Sequence, residues 1–252
     1  MAVSDTAIPA ATIVVVRERT GAAAPELLMV ERAQGMAFAG GAMVFPGGRI
    51  DAADRAHAEQ LGLGEDGAAA VAAIRETLEE TAVPVALDPL PSPEQALELQ
   101  QALVADEEFA GLLNAAGLML RPEALVPFTR WVPKFHASRR FDTLFFLAPA
   151  PPGDWQPTVI ERECSGAEWL SADQVLERDR NGETRLIFPT RRNLERLAQH
   201  ASFADMAADA RAYPVEPITP WLEERDGERF VTIADGIGYP VTSERLDGLW
   251  RG

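Results

Sequence analysis

AAIRETLEETAVPV, residues Ala72–Val85, sets Glu76, Glu79 and Glu80 within five positions of an alanine-rich, helix-forming run. On a helix each residue advances about 100°, so Glu80 falls roughly 40° to one side of Glu76 and Glu79 roughly 60° to the other. All three carboxylates share one narrow face. Val71, Ile74 and Leu78 lie nearly opposite, as an apolar stripe aimed at a core. Arg75 stands four residues before Glu79, so one ion pair offsets part of the repulsion. Such a face is either a solvated acidic surface or a site built to receive cations. The flanking segments decide between the two.

The 252-residue chain is 47% hydrophobic, enough to bury one large core or two small ones. With 39 acidic against 23 basic residues its formal charge is −16, which disfavours nucleic acid and anionic membrane as partners. An anionic substrate would therefore need local positive charge, from arginine or from a divalent metal. Lys134 is the only lysine, so the other 22 basic residues are arginines, which suit bidentate phosphate contacts. Cys164 is the only cysteine, excluding an internal disulfide, a cysteine zinc cluster and an iron–sulfur site. MAVSDTAIPAATIVVVRER has no basic n-region and too short an apolar run for a signal peptide, no stretch approaches the roughly 20 apolar residues of a membrane span, and LDGLWRG carries no organelle address. The expectation is a soluble cytoplasmic protein.

Ala11–Arg17 and Glu26–Arg32 read as strands on either side of the turn ERTGAAAP. A short strand follows and ends at Pro46, before the double glycine Gly47-Gly48. Asp51 to Gly67, polar and glycine-rich, reads as a loop. Helix runs from about Asp66 to Thr81 and stops before Pro84. Pro91–Leu120 is helical by period, with a Ser92/Gln95 capping signal. ALVPFTRWV, FDTLFFLA and TVIERECSGAEWL are strand-like, the last bending at Gly166. Helices are expected from the cap of SADQVLER, near Pro189, and from Ser202 to Ala212, and a final hairpin turns at Asp226-Gly227. Strands and helices interleave throughout. The reading is one α/β domain over 1–252, with a helical insertion at about 88–122 and extra helices and a hairpin at 189–252.

A glycine-rich turn after a strand, followed by a helix bearing Arg-Glu-x-x-Glu-Glu, supplies what diphosphate cleavage requires. Hard oxygen ligands suit Mg²⁺, which bridges substrate phosphates. Here the sequence resembles the Nudix box. Gly48 takes its first position, Arg75 and Glu76 the Arg-Glu pair, Glu79 and Glu80 the paired glutamates, and Val83 the closing apolar site. The resemblance implies a Nudix-type α/β/α sandwich with a mixed sheet. It implies hydrolysis of a nucleoside diphosphate linked to another moiety, with Mg²⁺ or Mn²⁺ as cofactor. Carried onto this chain, it implies Glu76, Glu79, Glu80 and the Gly48 carbonyl as metal ligands and Gly47 in substrate binding. Glu79 and Glu80 would be catalytic, with Arg75 orienting the glutamates.

Four positions depart from the pattern: Asp54 replaces its first glutamate, residues 55–74 overfill its seven-residue gap, Thr77 takes an apolar slot, and Ala82 replaces its second glycine. Further on, ERECSGAEWLSADQVL resembles the late Nudix strand and loop, which implies Glu163, five residues before Glu168, as a further ligand or base.

The approach to the double glycine, LMVERAQGMAFAGGAMVFPGG from Leu28 to Gly48, resembles the coenzyme A signature of that family. Leu28, Arg32, Ala33, Gly41 and Phe45 through Gly48 match in register, while Ala37 stands where the signature has a second arginine. SRRFDTLFFLA, the lengthened box and the helical insertion resemble the peroxisomal-type CoA diphosphatases. That branch implies cleavage of CoA or acyl-CoA to 3′,5′-ADP and the phosphopantetheine fragment. Arg32, Arg139 and Arg140 are its substrate-binding candidates here. ADP-ribose or another ADP conjugate is the alternative substrate, and a non-catalytic nucleotide sensor the alternative of another class, which the complete glutamate trio argues against. The expected partner is a small-molecule nucleotide conjugate, and a homodimer is compatible with the sequence. His57, His136 and His200 are too scattered to share a metal, Trp131 and Phe135 beside Lys134 read as core or rim, and Cys164 reads as a small buried residue.

Overall fold

In the computed structural model, which describes residues 7–35, 39–133, 140–160, 162 and 164–246, the first element is a largely buried strand. β1 (Ile8–Arg17) is β-branched from Thr12 to Val16 and buries both faces. Ala11, Ile13 and Val15 enter one core, Val14 and Val16 the other. In chain order there follow β2 (Glu26–Arg32), β3 (Met43–Val44), β4 (Gly47–Arg49), α1 (Ala52–Gln60), α2 (Glu65–Thr81), β5 (Leu87–Asp88), α3 (Pro93–Val104), α4 (Phe109–Ala116) and β6 (Met119–Leu120). Then come β7 (Val126–Trp131), β8 (Phe141–Pro149), β9 (Cys164–Ser171), α5 (Ala172–Arg180), α6 (Phe188–Leu197), α7 (Phe203–Ala212), β10 (Pro217–Ile218), β11 (Trp221–Arg225), β12 (Glu228–Thr232) and β13 (Ser243–Arg245).

The main sheet is mixed, ordered β10-β7-β8-β1-β2-β3, with β4 also on β1 and β9 also on β2. β8 runs parallel to β1 along its length, while β1's other edge is shared. β4 pairs Ala10–Thr12 and β2 pairs Val16 and Arg17. The sheet therefore splits at the middle of β1, where the Ile13 N–H donates to the Pro46 carbonyl at 3.1 Å. The Gly47-Gly48 turn sits in that split. α2 and the insertion helices α3 and α4 pack on one face; α5, α6, α7 and the β11–β13 sheet share the core of the other. This is the expected α/β sandwich with a mixed sheet and a helical insertion.

Two readings are corrected and a third is extended. The stretch expected as a loop from Asp51 to Gly67 contains α1, opened by an Asp51/Asp54 capping box. The helical run Pro91–Leu120 is two helices plus β6, the first opened by the expected Ser92/Gln95 capping box. The final hairpin turns at Asp226 and Gly227, both at positive φ, and gains a third strand, β13. Among the described residues no helix is long and apolar enough to cross a membrane.

α2 ends where the family pattern has glycine and this chain has Ala82, which adopts the left-handed conformation at φ 57°. An L-residue there costs about 1–2 kcal/mol, and glycine is the preferred occupant. Ala82→Gly is expected to raise unfolding stability by about 0.5–1 kcal/mol, the methyl's burial offsetting the rest. A denaturant midpoint that falls instead would show that methyl packing dominates.

Candidate active site

The double glycine is dictated by crowding. A Cβ at Gly47 would lie 2.4 Å from the Ala11 carbonyl oxygen, and one at Gly48 2.3 Å from the Glu76 carboxylate. Glu76 is therefore pressed against the backbone at Gly48. Gly47 donates its N–H to Glu80 Oε2 at 3.0 Å, and the Cys164 thiol donates to Glu80 Oε1 at 3.5 Å. The opposite stripe of α2, with Val71, Ile74 and Leu78, is fully buried, so packing fixes which face carries the carboxylates. Thr77, in the apolar slot, is also buried and donates its hydroxyl to the Ala73 carbonyl at 2.8 Å.

Arg75 ties the face together. Its Nε and Nη2 reach the two Asp54 oxygens at 2.9 and 3.0 Å, Nη2 reaches Glu76 at 3.0 Å and Nη1 reaches Glu79 at 3.2 Å. Nη2 also donates to the Arg49 carbonyl. Asp54, expected as a mere stand-in for the pattern's glutamate, is 1% exposed and is the main anchor of Arg75. α1 explains why the long gap does no harm. The extra residues follow Asp54, fold as that helix and return to α2, leaving Asp54 beside Arg75.

Burial pushes the Glu76 carboxyl up to about 7, with Arg75 pulling against it and Glu79 adding repulsion. Burial and the charge of Glu76 push Glu80 up to about 8, against the Gly47 N–H and Arg32. Glu76 is repelled by Glu79 and in turn repels Glu80, as their shared helical face requires.

A cleft of about 970 Å³ opens over this face, lined by Gly48, Glu76 and Glu79 among others. Glu80 instead faces Gly47 and Cys164. Arg32 lines the cleft from the end of β2, its Nε buried and without a hydrogen-bond partner among the described residues, and Arg140 lines it beside β8. Gly41, at φ 72°, closes the loop after β2 by donating its N–H to the Arg32 carbonyl. Ala37, Arg139 and Glu163 lie outside the described residues, as do Lys134, Phe135 and His136. Trp131 is core, 1% exposed, its indole N–H at 3.3 Å from Asn193.

The site also includes residues that local patterns did not flag. Arg185, Arg191, Glu244 and Arg245 line the same cleft. Glu244, from the tail that carried no functional reading, is held by Arg192 at 3.2 Å and by Arg191. Those contacts span about fifty residues of sequence, so no local signal points to them.

No metal-binding group of three or more His, Cys, Asp or Glu is closed among the described residues. The donor set nevertheless fits a hard divalent cation: three carboxylates from one helix, with Glu76 repelling the other two, and a backbone carbonyl at a glycine whose missing side chain leaves room for Glu76.

No family model matches the chain. The acyl-coenzyme A diphosphatase NUDT19 of Homo sapiens is 28% identical over 87% of this chain and 72% of its own length. A Nudix hydrolase from Alicyclobacillus acidocaldarius superposes with a TM-score of 0.66 at 29% identity, covering 81% of this chain and 97% of that one. Members of this family work with divalent metals, in keeping with the carboxylate face. The Arg-Glu-x-x-Glu-Glu helix docked on its Gly-Gly turn, the sandwich around it and these two likenesses make the chain similar to Nudix hydrolases in fold and site, with the equipment of a diphosphatase.

Proposed function

We propose that the protein hydrolyses the diphosphate of CoA or acyl-CoA, giving 3′,5′-ADP and the phosphopantetheine fragment. The observation that carries this reading is the match from Leu28 to Gly48, whose residues lie on β2, the loop closed by Gly41, and the Gly-Gly turn. The diphosphatase likeness in the human relative supports it. The cleft's volume is at the upper end of ligand sites, in keeping with an extended substrate.

Glu76, Glu79, Glu80 and the Gly48 carbonyl would hold the cation, Mg²⁺ or Mn²⁺, with Glu163 a further candidate ligand or base. When bound, the cation supplies positive charge to the diphosphate and lowers the pKa of water. Arg75 holds Glu76 and Glu79 in place from the edge of the same cleft. Arg32, close enough to act on the charge of Glu80, would meet the diphosphate, and Gly47 offers a turn without a side chain. Arg140 and Arg139 would contact the 3′-phosphate that Ala37 leaves without a donor.

A charge-assisted contact there contributes about 1.5–3 kcal/mol, roughly a 10- to 100-fold preference. CoA is therefore expected to exceed dephospho-CoA in kcat/KM by that factor, and Arg140→Ala to narrow the gap. Steady-state assay of CoA, dephospho-CoA and ADP-ribose with Mg²⁺ decides. Equal handling of CoA and dephospho-CoA, or a tenfold preference for ADP-ribose, would replace CoA with another ADP conjugate as the substrate.

A further inference from the structure

Glu79 and Glu80 stand in the last turn of α2, and the last carbonyls of any helix lack intrahelical donors. α2 has no basic residue in that turn to meet them. Two come from far away in sequence. The Glu79 carbonyl accepts from Gln100 Nε2 of α3 at 3.0 Å, and the Thr81 carbonyl accepts from the Thr158 N–H at 2.9 Å. The second amide hydrogen of Gln100 goes to the Thr158 carbonyl at 2.7 Å.

Gln100 thus closes a triangle between α2, α3 and the segment before β9. A second bond from the same helix, Arg162 Nη1 to the Val104 carbonyl at 2.8 Å, grips that segment further along. The segment leads to Cys164, whose thiol bonds Glu80.

Gln100 is 1% exposed. Both atoms that it meets are carbonyl oxygens, so its nitrogen must face them and the amide orientation is fixed. Its Oε1 is buried with no hydrogen-bond partner among the described residues. A buried amide with one unsatisfied oxygen is a poor choice for packing alone, where an apolar side chain of the same length would avoid that penalty.

We propose that Gln100 is a positioning residue for the cation site. By joining the Glu79 and Thr158 carbonyls it sets the last turn of α2 against the segment entering β9, and so sets the carboxylates of Glu79 and Glu80 relative to each other and to Cys164. The helical insertion then has a catalytic purpose: it supplies the clamp for the metal-binding turn. This rests on the metal-dependent reading of the site.

The test is Mn²⁺ binding by the whole protein, followed by electron paramagnetic resonance, alongside kcat and KM. Gln100→Met keeps side-chain length and removes both bonds. Gln100→Asn keeps the amide but is too short to bridge, and serves if the first variant does not fold. Supporting outcomes weaken Mn²⁺ affinity and lower kcat by about tenfold or more, as supports of metal ligands do, with KM held within about twofold. Ser92→Ala, which removes the N-cap of the same helix without touching α2, controls for stability and is expected to leave Mn²⁺ affinity and kcat at the native level. Mn²⁺ affinity within about twofold of native in a folded Gln100 variant overturns the proposal, and so does an equal loss in Ser92→Ala. A native protein that binds no Mn²⁺ overturns the metal reading itself, a result distinguishable from either.

Discussion

Glu80→Gln and Glu76→Gln are each expected to lower kcat on the order of 10²–10³-fold, the scale of losing one preorganised electrostatic group in a buried site, while the metal-free protein becomes more stable at alkaline pH. The second half follows from the titration. Both carboxyls have folded values well above the ordinary 4.5, raised mainly by burial. A carboxyl with a raised folded pKa holds its proton more tightly in the folded state. Its contribution is full below about 4.5 and is lost as pH rises through about 7 for Glu76 and about 8 for Glu80. The metal-free native protein should therefore melt lower at about pH 9 than at about pH 6, and Glu80→Gln should flatten that slope because the amide carries no charge to bury. Added Mn²⁺ should reverse the native slope, since a cation replaces the protons and stabilises by mass action. Near-native turnover in both variants would remove these carboxylates from the chemistry. Loss of folding in both would make the trio structural.

How much of this was legible varies from residue to residue, for physical reasons. α2 could be read because helical period acts locally: the stripe Val71, Ile74, Leu78 and the face Glu76, Glu79, Glu80 are both fixed by about 100° per residue. β2 was bounded to the residue by its apolar run between charged ends and by the turn before it. α1 was missed because glycine content outweighed a quieter signal, Asp51 followed three residues later by Asp54, which the structure uses as a capping box. Asp54's partnership with Arg75 could not be seen either, since the sequence shows twenty residues between them and only the fold brings the two side chains together. The C-terminal contribution was invisible for a different reason. Glu244 has meaning only beside Arg191 and Arg192, and such long-range pairs leave no period. The same holds for Gln100, which reads as an ordinary helix residue until Glu79 and Thr158 are placed against it.

The largest stability effect is expected at Arg75. Its guanidinium is 12% exposed and faces four carboxylates: Asp54, Glu76 and Glu79 within about a hydrogen bond's reach, and Asp51 at 3.9 Å. Removing one partner of a buried pair costs about 3–5 kcal/mol, because the other is left charged and unpaired. Asp54, at 1% exposure and gripped by two parallel bonds, is the group that would suffer. Arg75→Ala should therefore lower stability by about that amount near neutral pH. Arg75→Lys should recover only part of it, since an ammonium cannot match the fork that meets both Asp54 oxygens. A second substitution identifies the cause. If the loss comes from stranding Asp54, Asp54→Asn should cost far less in the Arg75→Ala background than in the native one, and a double-mutant cycle in urea should give a coupling of about 1 kcal/mol or more. Activity would stay low in all three corners that lack Arg75 or its anchor, because Glu76 and Glu79 lose either the guanidinium that holds them or the carboxylate that places it. Additive free energies in that cycle would show that Arg75 stabilises α2 through some contact other than Asp54, and the reading of Asp54 as its anchor would fall.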